Sequence, residues 1–220
     1  MDKPPSQTEK LESLWAAQLA EGLQQMGTSL DAAQQGRLVA YLALLQKWNR
    51  VFNLTAVRDP AQMVSRQLLD SLSILPWVKG PRVLDVGTGA GLPGIPLAIA
   101  LPELVFTLLD ANGKKTRFVQ QAAAELGLGN VRVVNGRIEA LQDAEGFDVI
   151  TSRAFASLAD FLSSTAHLLA DGGCWLAMKG QAEHDEGGLP PGIALRWHPL
   201  LIPGTQGARH LAECWPDRPG

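Results

Sequence analysis

Apolar residues recur at helical spacing through the first third of the chain and at strand spacing beyond it. Leu11, Leu14, Ala17, Leu19 and Leu23 mark an apolar stripe along one helix. Gly27 can end that helix, and Ser29 or Asp31 can cap the next. Leu38, Tyr41, Leu42, Leu45 and Trp48 form a second stripe. Asp59 as N-cap and Pro60 at the first helical position start a further helix through VSRQLLDSLSIL. Residues 7 to about 75 therefore read as helical. From residue 81 the period changes: RVLDV, LVFTLLD, VRVVN, FDVITS and CWLAMKG read as short strands. Between them IPLAIAL, KKTRFVQQAAAELGL and LADFLSSTAHLLADGG read as helices, the second stopped by Gly127 and the third by its terminal glycines. Strands alternating with helices imply parallel pairing and right-handed crossovers. IALRWHPLLI and ARHLAECW add two strands that close as a hairpin. The expected architecture is a Rossmann-like, doubly wound α/β sheet over residues 76–215, with an N-terminal helical cap over 1–75 and a tail over 216–220.

Composition narrows the class. With 220 residues, 46% hydrophobic and 19% charged, the chain is globular. It has no apolar run long enough to span a bilayer and no basic start followed by an apolar stretch, so a cytoplasmic protein is expected. Cys174 and Cys214 stand far apart without metal-ligand spacing, so the reading is two buried thiols and no metal. A formal net charge of −3 excludes a general basic field, and a nucleic-acid partner would need a local patch.

In open α/β sheets, ligands sit outside the carboxyl ends of the strands. The first such end carries DVGTGAGLPGIP, residues 85–96. A triphosphate loop is excluded because no Lys-Ser or Lys-Thr follows the glycines. Gly89, Gly91 and Gly94 fit a dinucleotide fingerprint, while Gly87, Gly89 and Gly91 fit a methyl-donor loop. Asp85 favours the second register: a carboxylate is a poor neighbour for a pyrophosphate and a good one for the ammonium of S-adenosylmethionine. Asp110, at the second strand end, suits two ribose hydroxyls, or else an N-cap of the following helix. In NGRIEA, Ile138 could pack on an adenine and Glu139 read its amine. Equally, Ile138 could be core and Glu139 an acid of a helix's first turn.

The fourth strand ends in SRAFAS. It lacks the [DNS]-P-P-[YFW] tetrad of amino-directed methyltransferases, and neither cysteine is placed as a nucleophile for carbon methylation. No general base stands there. Guanine N7 needs none, because its lone pair is free and it has no proton to lose. Arg153 would then sit at the cofactor and acceptor, the alternative being a surface arginine on a strand-end carbonyl. Lys114, Lys115, Arg117, Arg137, Arg153, Lys179 and Arg209, with Arg50, Arg58 and Arg66 from the cap, could supply the basic patch. Trp15, Trp48 and Trp77 fall on apolar stripes and read as core.

KWNRVFNLTAVRDP, DVGTGAGLPGIPLA, FTLLDANGKKTRF, VITSRAFASL, MKG and RHL together resemble the ribosomal RNA small subunit methyltransferase G family, also called glucose-inhibited division protein B, over roughly residues 36–212. The resemblance implies a class I S-adenosylmethionine-dependent fold and N7 methylation of one guanine of 16S rRNA in the small subunit. By position it implies cofactor contacts at Asp85, Gly87, Gly89, Leu92, Asp110, Ile138, Glu139 and Arg153. Arg153 is then the catalytic arginine, and Lys114, Lys115, Arg117, Lys179 and Arg209 face RNA. A monomer without a metal is expected. Gln67 stands in RQLLDS where the family pattern has a histidine, so that position cannot carry charge. Two rivals remain at this level: a nucleotide-dependent oxidoreductase using Gly89, Gly91 and Gly94, and a non-catalytic RNA-binding module.

Overall fold

The computed structural model describes residues 6–153, 155, 157–180 and 188–217. The chain begins with α1 (Gln7–Gln25) and α2 (Ala32–Phe52). Both carry capping boxes, Ser6 with Glu9 and Asp31 with Gln34, so Asp31 and not Ser29 starts the second helix. A continuous helical run follows: α3 (Pro60–Met63), a π-helical segment (Val64–Leu69) and α4 (Asp70–Leu72). Asp59 caps it from its side chain to the Ala61 amide, with Pro60 in the first turn. The stripe expected on α1 is rotated. Trp15, Leu19 and Leu23 are buried, while Leu14 and Ala17 face solvent. The buried set is completed by Gly22, against which the Leu69 side chain packs. Trp15 also donates from Nε1 to the Pro60 carbonyl at 2.8 Å, a long-range contact that fixes the rotation.

The sheet comprises β1 (Arg82–Val86), β2 (Val105–Asp110), β3 (Val131–Asn135), β4 (Phe147–Ser152), β5 (Leu169–Lys179), β6 (Ile193–Pro199) and β7 (His210–Pro216). Its order is β3-β2-β1-β4-β5-β7-β6. The first five strands pair in parallel, and β7 enters antiparallel between β5 and β6 as the expected closing hairpin. α5 (Gly94–Ala100), α6 (Gly113–Glu125) and α7 (Leu158–Thr165) make the crossovers. The order reverses at β1 and β4, so the crevice between their carboxyl ends is the switch point where ligands bind.

One helix boundary differs from the sequence reading. α7 ends at Thr165 and a 3-10 turn, Ala166–Leu168, leads directly into β5. The glycines of ADGG therefore lie within the strand, where the β4–β5 register shifts. A side chain at Gly173 would meet the Phe147 and Asp148 carbonyls at 2.9 and 3.0 Å. Close strand approach, not a helix stop, is what the glycine serves. At the other end, Asp217 N bonds the Gly192 carbonyl at 2.7 Å. Residues 218–220 of the expected tail, and Ala154 and Ala156 of SRAFAS, lie outside the described residues.

The apolar core does not divide at residue 75. Trp15, Leu38, Tyr41, Leu45 and Leu68 of the helical segment belong to one buried cluster with Val83, Ile95, Phe106 and Phe118 of the sheet layer. Trp48 and Trp77 pack against it, partly buried. Gln34 of α2 donates to the Ile99 and Ala100 carbonyls of α5, stitching cap to sheet domain. A second cluster, including Leu84, Ile150, Phe161 and Trp175, fills the other face.

Cys174 is half-buried on β5, and Cys214 is buried on β7 opposite Trp175, in the cluster on the other face of the sheet. Burial pushes their thiols up to about 11 and about 12, with Glu213 adding to both. Neither is a useful thiolate at neutral pH. Alkylation of the native protein is expected to be slow, with both thiols reacting promptly once guanidinium unfolds it; a labelling time course checks this.

Candidate functional site

The glycine loop after β1 is shaped by three glycines with positive φ: Gly87 at 67°, Gly89 at 60° and Gly91 at 89°. L-residues with side chains rarely adopt this region. Gly89 is also open on its side-chain side: a Cβ there would meet nothing nearer than the Gly87 carbonyl at 3.9 Å and Lys115 Nζ at 4.0 Å. Gly94 has a different task. Its Cβ would collide with Leu108 and stand 2.8 Å from Asp85 Oδ2, so glycine here lets α5 lie tightly on the sheet. Gly94→Ala is expected to cost about 1–3 kcal/mol, read as a lower urea midpoint.

Asp85 organises that loop. It is fully buried, and its Oδ2 accepts from Thr88 Oγ1 at 2.6 Å and Gly94 N at 2.9 Å. Its Oδ1 is buried without a hydrogen-bond partner among the described residues. Burial raises its pKa to about 6; the Thr88 and Gly94 bonds and Arg153 oppose this, and Asp110 adds to it. The sign follows directly. The folded state holds this proton more tightly than the unfolded state, so the contribution is full below about pH 4 and lost as pH rises through about 6. Relative to the native protein, Asp85→Asn should gain roughly 2–3 kcal/mol in unfolding free energy between about pH 4 and pH 8. Urea titrations at the two pH values measure it, and a constant difference would contradict the raised pKa.

Asp110 ends β2. Its Oδ2 accepts from Gly89 N at 2.8 Å and its Oδ1 from Asn112 N at 2.8 Å. It is not the cap of α6: Asn112 is, accepting from Lys114 N and Lys115 N. Asp110 lines a cavity of about 490 Å³ with Gly87, Ile138, Glu139 and Phe155. Ile138 and Glu139 stand on the 3-10 turn after β3, the first buried and the second exposed. Ser163 and Ser164 of α7 close the far side.

A second cavity, about 510 Å³, opens on the other side of Gly87. It is lined by Leu92, Lys115, Arg153, Lys179 and Arg209, with Thr55, Arg66, Gln67 and Asp70 of the helical segment forming the opposite wall. Five cations and one carboxylate, Asp70, are among its lining residues. The basic patch of this acidic protein is therefore a cleft. Lys114 and Arg117 point elsewhere, onto the exposed face of α6, and neither lines the cleft.

Arg153 leaves the end of β4 and is gripped from the cap. Its Nη1 donates to Asp70 Oδ2 at 3.0 Å and the Arg66 carbonyl at 3.3 Å, and its Nη2 donates to Gln67 Oε1 at 3.3 Å. Arg209 Nε lies 3.6 Å from Asp70 Oδ1. Gln67 is buried and donates from Nε2 to Thr55 Oγ1 at 2.8 Å. Lys179 Nζ donates to the Phe155 carbonyl at 3.0 Å, pinning the loop after β4. Tyr41 of α2 donates to the Ala90 carbonyl at 2.8 Å, and burial drives its phenol pKa far up, so it stays protonated. Asp70 lines the cleft and Tyr41 buttresses the glycine loop from the core, and the sequence reading assigned neither to the site. The signal for Asp70 was present: a lone carboxylate in LLDSL, an otherwise apolar helical run. No group of three metal-ligating side chains occurs among the described residues.

Solved structures share this architecture. The chain superposes on a putative O-methyltransferase from Klebsiella pneumoniae with a TM-score of 0.59, covering 94% of this chain and 100% of that one at 15% identity. For an S-adenosylmethionine-dependent methyltransferase from Aquifex aeolicus the TM-score is 0.55, covering 74% and 96% at 19% identity. The seven-stranded order, the glycine loop and Asp110 at the second strand end define a class I S-adenosylmethionine-dependent methyltransferase. The family model for rRNA small subunit methyltransferase G matches residues 34–189. Proteins named ribosomal RNA small subunit methyltransferase G are 56% identical in Marinobacter nauticus, covering 90% of this chain and 93% of that one, and 54% identical in Methylococcus capsulatus, covering 90% and 97%. The chain belongs to the rRNA small subunit methyltransferase G family.

Proposed function

We propose that this protein methylates N7 of one guanine in bacterial 16S rRNA, acting as a cytoplasmic monomer on the small ribosomal subunit. Family membership supports the rRNA substrate. The observation that carries the choice of atom is the end of β4, where Arg153, a permanent cation, stands in the place of a base. Guanine N7 is a nucleophile that needs no deprotonation. Arg153 faces the O6 or a phosphate of the acceptor and leaves the N7 lone pair free.

The residues present fit the methyl donor. Gly89 leaves room beside the loop, and Gly87 and Leu92 line the same cleft. Asp110, already oriented by two amide donors, has acceptor capacity left for ribose hydroxyls. Ile138 offers an apolar surface to adenine, and Glu139 lies at its edge. Asp85 is buried and lines neither cavity, so it serves the donor through the loop it holds by Thr88 and Gly94. S-adenosylmethionine supplies an electrophilic methyl group on a sulfonium. The chain itself contributes placement, exclusion of water and a cationic wall for RNA phosphates from Lys115, Lys179 and Arg209, with Lys114 and Arg117 extending that surface outside the cleft.

S-adenosylhomocysteine at about a hundredfold excess over its Kd is expected to stabilise the fold by roughly 3 kcal/mol, and NAD by nothing measurable. A melting scan with each ligand decides between the methyl-donor and dinucleotide readings. For the reaction, undermethylated 30S subunits and naked 16S rRNA are incubated with labelled S-adenosylmethionine. Cleavage chemistry selective for N7-methylguanine should then place the label at one guanine. Label on another atom or another RNA overturns the proposal.

A further inference from the structure

We infer that Asp70 is a positioning residue: one carboxylate of the cap that aligns Arg153 and Arg209 across the cleft. This inference rests on the rRNA methyltransferase reading above. Three observations carry it. First, Asp70 is buried, and each of its oxygens faces a different guanidinium, Arg153 Nη1 at 3.0 Å and Arg209 Nε at 3.6 Å. The two arginines come from distant parts of the chain, one after β4 and one before β7, and neither is otherwise tied to the other. Second, Asp70 is the only acid among the described residues lining a cleft that holds five cations. In a site built to attract phosphate, a carboxylate opposes binding by its charge. Its presence there is explained by geometry and not by attraction. Third, Asp70 stands at the C-terminal end of a π-helical segment, an uncommon conformation that recurs at functional sites. That segment supplies Arg66 O and Gln67 Oε1, and Asp70 follows directly after it at the start of α4, so three acceptors surround one guanidinium.

A guanidinium has five donors in a fixed fork. With some engaged by Asp70, Gln67 and Arg66, the fork's orientation is set and its remaining edge is available to the acceptor nucleotide. Losing Asp70 would leave Arg153 charged and present but free to rotate. The signature of such a role is a fall in kcat without a rise in KM, because removing a negative charge from a basic cleft does not weaken RNA binding.

The test is a double-mutant cycle with 30S subunits as substrate: wild type, Asp70→Asn, Arg153→Ala and the double variant, with Asp70→Glu as the charge-conserving control. S-adenosylhomocysteine binding and melting temperature are measured for each. Asp70→Asn is expected to lower kcat about tenfold or more with KM unchanged or lower, and cofactor affinity near wild type. In the Arg153→Ala background the same change should cost less than about twofold, and Asp70→Glu should recover part of kcat. Wild-type turnover by Asp70→Asn, costs that multiply in the double variant, or loss of folding or cofactor binding would each overturn the inference. An inactive wild type on 30S subunits would sink the methyltransferase reading itself, a distinguishable result.

Discussion

Arg153→Ala is expected to lower kcat for methyl transfer by about a hundredfold, while S-adenosylhomocysteine affinity should change far less. The reason is the direction of the side chain. Arg153 sits on the rim between β4 and the cap, where its guanidinium is held by Asp70, Gln67 and the Arg66 carbonyl. Under the proposed reading the acceptor needs no base, and the guanidinium is the pre-oriented charged donor beside it. Removing a pre-oriented donor of this kind typically costs two to three orders of magnitude in rate. Arg153→Lys is expected to restore little, since an ammonium keeps the charge but not the planar fork. Steady-state kinetics on 30S subunits measure both variants, and unchanged turnover by Arg153→Ala would remove the residue from the site.

The second large effect is on the cofactor. Asp110→Ala should weaken S-adenosylhomocysteine binding by about a hundredfold, or roughly 3 kcal/mol. Two terms add. The ribose hydroxyls lose a charged acceptor, and the Gly89 amide, held at 2.8 Å from Asp110 Oδ2, loses the partner that fixes the loop. Asp110→Asn separates them: the amide oxygen can still accept from Gly89 N, so the loop is held while the charge is gone. Calorimetry should place Asn between wild type and Ala. Equal affinities for all three would show that the carboxylate does not touch the cofactor.

Most of the fold was legible because local signals agreed with the global arrangement. Asp59 and Pro60 announced their helix, the five parallel strands announced themselves by short apolar runs, and the final hairpin followed. What was not legible depended on partners distant in sequence. The exposed side of α1 was misread because Leu14 and Trp15 are equally apolar, and only the Pro60 carbonyl, far along the chain, selects Trp15. ADGG carries the residues of a helix stop, and pairing with β4 turned it into a strand irregularity. The positive-φ glycine turn and the carboxylate at the end of β2 were readable, the first from local glycine spacing and the second from the strand–helix alternation. Asp70 showed only as a lone acid in an apolar run, and its two arginine partners are set by tertiary structure. Gln67 is instructive in the same way. Read alone it was a departure from a pattern; in the structure its amide joins Thr55 to Arg153, using both of its ends and no charge.

The helical segment shares its buried cluster with the sheet, and it also supplies one wall of the cleft. A cap with its own core could be exchanged between enzymes as a cassette, carrying a new substrate preference in a single recombination. Here such an exchange would strand Leu38, Tyr41 and Leu45 on one side of the break and Ile95 and Phe118 on the other. Substitutions confined to the cleft wall leave that shared core intact, whereas replacing the whole segment opens it.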